Sequence, residues 1–245
     1  MRHWSRSYYF LLKWNVLRFR SVLPLHITVQ TLLSAGVVLG YAFLIPHLTP
    51  ANALYLSTGG MTISLVMVGM VMLPSTLSYR KETGLLEFQR SLPVPRMSMM
   101  AADATMWIVV AIPGLVVAML LAVLRFHLRL SPSPMVIPAL ALVVVGSVSV
   151  GYTISYLVKP VLVNLITNVI IVVTMMFAPI NFPAERLPDW LAAIHRFLPF
   201  EYMAQAIRET VNVPRAGVSA LPFVVMTIWA VLGLTVATRA LTRRQ

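Results

Sequence analysis

Fifty-nine consecutive residues, Ser21 to Tyr79, contain no Asp, Glu, Lys or Arg. A helix of about 20 residues crosses a bilayer, so this run is too long for one crossing and too apolar to coat a soluble domain. It must enter the membrane, turn once and return. Its turn-rich cluster is PHLTPAN, Pro46 to Asn52, which puts a first span near 23–45 and a second near 57–79. Composition agrees: 59% of the 245 residues are hydrophobic and 11% are charged, against about 25% charged in soluble domains.

The same reading gives four more spans. The uncharged stretch Ala104 to Leu124 holds a third, near 103–124. After the loop SPSP at 131–134, a fourth lies near 136–157, where Gly146, Ser147, Ser149 and Gly151 form a small-residue face suited to close helix approach. Lys159-Pro160 breaks the chain before a fifth span near 161–180, and the last lies near 218–238. The expected fold is an all-α integral membrane protein with six transmembrane helices, residues 1–245 forming a single transmembrane domain.

Between the second and third spans stands a polar island, Arg80 to Arg96, RKETGLLEFQRSLPVPR, with six charges in 17 residues. A stretch this polar is expected to stand in water beside the membrane. Thirteen of the 19 Lys and Arg fall on its side, which also carries the N-terminal segment, Lys159 and the C-terminal tail. Positive charge stays inside, so the island and both termini are expected in the cytoplasm of a multi-pass cell (inner or plasma) membrane protein. The net charge of +12 is scattered between apolar blocks, which suits orientation and anionic lipid better than nucleic acid. Residues 1–20 lack the pattern of a cleaved signal. Arg6, Lys13 and Arg20 recur every seven residues opposite Tyr8, Leu11, Leu12 and Phe19, as in a helix lying in the membrane interface. A solvated tail is the alternative, and it leaves Trp4, Tyr8, Tyr9, Phe10 and Trp14 in water.

Residues 182–215 are neither span nor ordinary loop. Pro188 followed by Asp189 starts a helix well. Trp190, Leu191, Ile194, Phe197 and Leu198 then share an apolar face, Pro199 interrupts, and a second helix fits 200–212. Pieces of about 11–13 residues suit a re-entrant hairpin on the outer side, between spans five and six. A plain amphipathic outer loop is the other reading.

The sequence offers little covalent chemistry. There is no cysteine. None of Lys13, Lys81 and Lys159 follows a glycine, so the chain has no phosphate-binding loop of the P-loop type. The five histidines are dispersed, and no metal site, catalytic residue or bound cofactor is expected. No span carries an ionisable residue near its middle, Asp103 lying at the cytoplasmic edge of the third, whereas ion-driven carriers use such groups at depth. Energy is therefore expected from outside the chain. Milder groups do lie at depth: Gln30 and Thr31 in the first span, Asn164, Thr167, Asn168 and Thr174 in the fifth. Positions 164, 167, 168, 171 and 175 share a stripe, so both asparagines and Thr167 are expected to face one way, with Met175 along it. That stripe serves either helix–helix hydrogen bonding or a substrate route.

Two stretches resemble the membrane subunits of ABC exporters of the type-2 permease family, the drug- and lipid-exporting kind. In the island, Glu82, Gly84, Leu85, Glu87, Leu92, Pro93 and Arg96 match the family's cytoplasmic segment, with Leu85 where threonine is common. In the outer region, Phe182, Pro183, Leu187, Pro188, Trp190, Leu191, Pro199, Tyr202 and Arg208 match a second pattern. The resemblance implies a dimer of two permeases, identical or related, above two separate cytoplasmic ATPase subunits that would hold ATP and Mg. It implies a connecting helix at residues 1–20 and a coupling helix within 80–96. It implies substrate moving outward between the permeases along spans one, two and five, and an outer hairpin gating the exit.

The resemblance narrows the coupling helix to near Glu82–Arg90, and the residues there agree with it. Leu85, Leu86 and Phe88 are expected to form its apolar anchor, with Glu82, Glu87 and Arg90 suiting its dipole; the alternative is that the three pack on the chain's own spans or on the bilayer surface. Candidate residues are then Glu82, Gly84, Leu85, Leu86, Glu87, Phe88 and Arg90 for ATPase coupling, and Gln30, Asn164, Thr167, Asn168 and Met175 for the substrate route. Pro183, Pro188, Trp190, Pro199 and Tyr202 are candidates for the outer gate. The expected function is the non-hydrolysing permease subunit of an ATP-driven exporter of amphiphilic small molecules: drug, antibiotic or lipid. An ATPase-independent channel or carrier, and a membrane anchor or immunity-type protein, are the alternatives.

Overall fold

Prolines punctuate this chain, and several of them open helices. A proline has no N–H to lose in a first turn, where the N–H has no partner, but interrupts a helix interior. Pro24, Pro50, Pro160 and Pro199 each stand at the first or second position of a helix. The structure, a computed structural model, describes residues 2–45, 48–213 and 217–242. Pro46, His47, Arg215, Arg243 and Arg244, used in the sequence reading, lie outside the described residues.

Among the described residues there are, besides a 3-10 turn at Ala184–Arg186, ten helices: α1 (Arg2–Phe19), α2 (Leu23–Leu44), α3 (Pro50–Glu82), α4 (Leu85–Ser91), α5 (Arg96–Arg125), α6 (Val136–Leu157), α7 (Pro160–Phe177), α8 (Asp189–His195), α9 (Pro199–Val211) and α10 (Leu221–Thr242). Six of these, α2, α3, α5, α6, α7 and α10, are long and apolar enough to cross a membrane. Among the described residues the only strand-like feature is a single bridge, Ser131 with Asn212, tying the loop before α6 to the end of α9.

α3 is the pillar of the bundle. Its apolar window is 89% buried, against 22–50% for the other five, and it packs on α2, α5, α6, α7 and α9. Close approach explains this. A Cβ on Gly69 would stand 2.4 Å from that of Ser147, and one on Gly151 would stand 2.0 Å from the Gly69 carbonyl oxygen, so α3 and α6 cross backbone on backbone. At that crossing α3 carries a π-helical turn, Val68–Met72, followed by Pro74. Pro74 has no N–H to give the carbonyl four residues earlier, and the wider turn accommodates the missing bond.

Several boundaries differ from expectation. α3 starts at Pro50, not near 57, because Thr49 Oγ1 accepts the Asn52 N–H at 3.2 Å and Pro50 fixes the first turn. It also runs on to Glu82, and α5 begins at Arg96 rather than near 103. Both extensions carry charges that the sequence reading assigned to water or to its edge. α7 spans Pro160–Phe177, shorter than 161–180, and α10 begins at Leu221 rather than near 218. In the 182–215 region the first piece is shorter than expected: α8 has 7 residues and α9 has 13.

Candidate functional site

The coupling and gate candidates lie at two ends of the bundle, the α4 end, with α1, α4 and the last turn of α3, and the α9 end, with α8 and α9, while the route candidates lie on α2 and α7.

At the α4 end the expected helix Glu82–Arg90 is corrected. Glu82 closes α3, Thr83 and Gly84 turn, and α4 occupies Leu85–Ser91. The break is conformational: Gly84 has φ 71°, a left-handed backbone that glycine adopts without strain. The apolar trio divides. Leu86 is 1% exposed and joins the main core, so it anchors α4 to its own bundle. Leu85 is half-buried, while Phe88 is 50% exposed, its ring 6.2 Å from that of Trp14 on α1. Glu82 and Glu87 are exposed, and the Arg90 side chain lies outside the described residues. Between α1 and α4 opens a cleft of about 710 Å³, lined by Trp14, Leu17, Arg18, Tyr79, Leu85 and Phe88 among others. Arg18 points a cation at it, its guanidinium lying over the Tyr79 ring. Burial and then the nearby charge of Arg80 hold the Arg18 pKa below its ordinary value.

Behind this cleft stands a buried polar joint. Arg80 is 1% exposed, contrary to the expectation that the whole island stands in water. Its Nη1 and Nη2 donate to Asp103 Oδ2 and Oδ1, both at 3.0 Å, a bidentate ion pair. Asn15 of α1 donates to Asp103 Oδ1 at 2.7 Å and accepts from Arg80 at 3.3 Å. Tyr152 of α6 donates to Asp103 Oδ2 at 2.5 Å. The next residue, Lys81, donates to the Ser155 carbonyl and lies 5.0 Å over the Tyr156 ring. Asn15, Asp103 and Tyr152 were not among the expected site residues. One signal was available: an aspartate in an apolar helix needs a cation at its own depth, and Arg80 starts the nearest cluster.

The expected stripe on α7 is split. α7 buries a face centred on Val163, Thr167 and Thr174, and the edge of that face runs through the stripe. Thr167 and Ile171 turn inward, Met175 is half-buried, and Asn164 and Asn168 are exposed. Asn164 accepts a hydrogen bond from Ser75 Oγ at 2.7 Å. Gln30 is fully buried and donates to the Ser64 carbonyl at 2.5 Å, joining α2 to α3. Tyr41 donates to the Met175 carbonyl at 3.1 Å, joining α2 to α7.

At the α9 end, Pro188 precedes α8 and Pro199 opens α9, buried. Pro183 is half-buried. Trp190 is 66% exposed and Ile194 and Phe197 are also exposed, while Leu191 and Leu198 are half-buried, so most of the expected apolar face around α8 does not pack on the protein. Tyr202 donates to the Arg196 carbonyl at 2.9 Å, and Trp229 of α10 donates to that of Phe197 at 3.1 Å, together holding the α8–α9 turn. α9 itself packs on α3, α6 and α10. Its Arg208 donates to the Ile180 carbonyl at 2.7 Å and to Thr58 Oγ1 at 3.2 Å, and its guanidinium sits 3.6 Å over the Tyr55 ring. Among the described residues no carboxylate is within ion-pair distance of Arg208. Burial lowers its pKa to about 10, which leaves it cationic at neutral pH. Burial also raises the Glu201 carboxyl, whose Oε2 has no hydrogen-bond partner. Among the described residues no cluster of His, Asp and Glu could hold a metal ion.

The family described as ABC-2 type transporter matches residues 7–212. That match takes in α1 from residue 7 onward, the polar joint, α4 and the whole of α9. No curated protein matches the chain.

Proposed function

Because the chain belongs to the ABC-2 type transporter family, we propose that it is the permease subunit of an ATP-driven exporter of amphiphilic small molecules, drug, antibiotic or lipid. The family implies an ABC ATPase partner. In this reading two separate subunits hydrolyse ATP with Mg, and this chain binds no cofactor. The observation that carries the reading is α4. A seven-residue helix on a glycine turn, tethered by buried Leu86, presents Leu85, Glu87 and Phe88 outward beside Trp14. An exposed aromatic flanked by charge is the composition of an interface anchor, and it supports α4 as the coupling helix in the ATPase groove.

The other parts follow from that placement. With α4 cytoplasmic, as the positive-inside rule favours, both termini are cytoplasmic and α1 is the connecting helix in the membrane interface, its exposed Tyr9 and Phe10 toward lipid. Residues 1–245 form one permease domain. A second permease, identical or related, covers the exposed apolar faces of α2 and α7, and substrate moves between the two past Asn164 and Asn168. α8 and α9, with Pro183, Pro188, Trp190, Pro199 and Tyr202, form the outer hairpin that gates the exit.

The test is co-purification of the ATPase from cells expressing the tagged permease. Leu85→Asp and Glu87→Arg are each expected to abolish recovery of the ATPase while leaving the permease folded in the membrane, and the permease alone is expected to hydrolyse no ATP. Full recovery of the ATPase with both variants would overturn the reading, as would gradient-driven flux through the permease reconstituted alone.

A further inference from the structure

The last turn of α3 is the shortest covalent path from α4 into the bundle, and it is pinned on two sides. Arg80 holds Asp103 of α5 and Asn15 of α1, and Asp103 in turn holds Tyr152 of α6. Lys81 holds α6 through the Ser155 carbonyl and the Tyr156 ring. Four segments from distant parts of the chain meet at Asp103, whose neighbours Asn15, Arg80 and Tyr152 are all buried. Gly84 follows two residues after α3 ends, with open space around it.

We infer that the Arg80–Asp103 pair, braced by Asn15 and Tyr152, is the joint that transmits displacement of α4 to the spans, its members being positioning residues of the transport cycle. The inference rests on the proposed role of α4 as the coupling helix.

A buried ion pair is a poor device for stability, because desolvating both charges offsets their attraction and an apolar pair of similar volume often serves as well. What it does supply is one geometry. A guanidinium bound bidentately by a carboxylate has a fixed plane and distance, and the remaining oxygen lone pairs here are taken by Asn15 and Tyr152. The segments α1, α3, α5 and α6 are thereby locked in register at this end. A push on α4 cannot be absorbed by sliding the end of α3 along its neighbours, so the four move as one body. Compliance lies further along α3, at the π-helical turn Val68–Met72 and Pro74, where the Gly69–Gly151 crossing gives a backbone pivot. Displacement of the α4 end then appears at the α9 end.

The absence of native cysteine permits a direct test. Ile194→Cys places a thiol on exposed α8. Its labelling rate by a membrane-impermeant maleimide is measured in vesicles holding permease and co-purified ATPase, with and without ATP plus vanadate. Two variants are compared in that background: Asp103→Asn, and the apolar pair Arg80→Met with Asp103→Leu, which leaves no stranded charge if the single change misfolds. Both are expected to keep ATPase recovery and basal ATP hydrolysis, while the ATP-dependent change in labelling falls about tenfold, within the range of ordinary coupling effects. A folded apolar-pair variant with the unaltered ATP-dependent change would overturn the inference while leaving the proposed function intact. Failure of the unsubstituted permease to recover any ATPase would instead remove the coupling role of α4, and the inference with it.

Discussion

Each end of the bundle engages an arginine, Arg80 buried and Arg208 half-buried, and the two are held in opposite ways. Arg80 at the α4 end has a carboxylate partner with both oxygens engaged. Arg208 at the α9 end has a tyrosine ring, a carbonyl and a hydroxyl, and no carboxylate among the described residues. A charge pair in a dry site is fixed by strong directional bonds, and removing one member strands the other. A cation held by a ring face and neutral dipoles keeps its charge but is held less tightly. The first arrangement suits a joint that stays closed. The second suits a latch, because Arg208 can exchange its carbonyl and ring for water without leaving a buried counter-charge behind. It fastens α9 to the Tyr55–Thr58 turn of α3 and to the segment after α7, the parts that must separate if an exit opens there.

The contrast yields a graded series. Asp103→Ala is expected to have the largest effect, a loss of about 3–5 kcal/mol from stranding Arg80, read as a large fall in melting temperature in detergent. A loss no greater than that of a surface substitution would erase the distinction between joint and latch. Arg208→Met keeps the aliphatic stem but leaves the Ile180 carbonyl without its donor, at a cost of about 1–3 kcal/mol, measured in the same melts. Tyr55→Leu removes only the ring face, for about 0.5–2 kcal/mol. Its effect should vanish in an Arg208→Met background, and full additivity of the two would show that the stacking contributes nothing.

The smallest effect is a pH dependence. Burial raises the Glu201 carboxyl above its ordinary 4.5, so the folded protein holds that proton more tightly than the unfolded chain. Its stabilising contribution is complete below that value and is lost as pH rises through the raised folded value. Glu201→Gln should therefore match the parent in melting temperature in acid and exceed it increasingly toward neutral pH. A constant offset across that window would show that the carboxyl does not titrate differently on folding.

Much of the fold is legible in the sequence because the membrane imposes a single rule on backbone and charge together. Uncharged runs long enough to cross became the six spans, and the breaks at SPSP and Lys159-Pro160 fall where the sequence puts them. The boundaries that moved did so for local reasons, such as the Thr49–Pro50 cap, or because a charge found a partner. Arg80 and Asp103 both look like residues of the water edge when each is read alone. They are 23 positions apart, and nothing in either segment states that the two helices bring them to the same depth. The α7 stripe failed differently: periodicity groups positions around a helix but does not say where the buried face ends, and here its edge separates Thr167 from Asn164 and Asn168.

By itself, the sequence determined that this chain is a multi-span helical membrane protein without the residues of a P-loop, and which segments lie between its spans. Apolar length and charge are properties of single segments, and a bilayer reads them one segment at a time. The tertiary structure alone decided which polar groups meet: that Arg80 is drawn inward to Asp103, that Leu86 anchors α4 while Phe88 faces out, and that Arg208 rests on Tyr55. Each of these depends on the crossing of helices remote in the chain, set by backbone approach at residues such as Gly69 and Gly151, and a buried charge is tolerated only where that crossing supplies its partners.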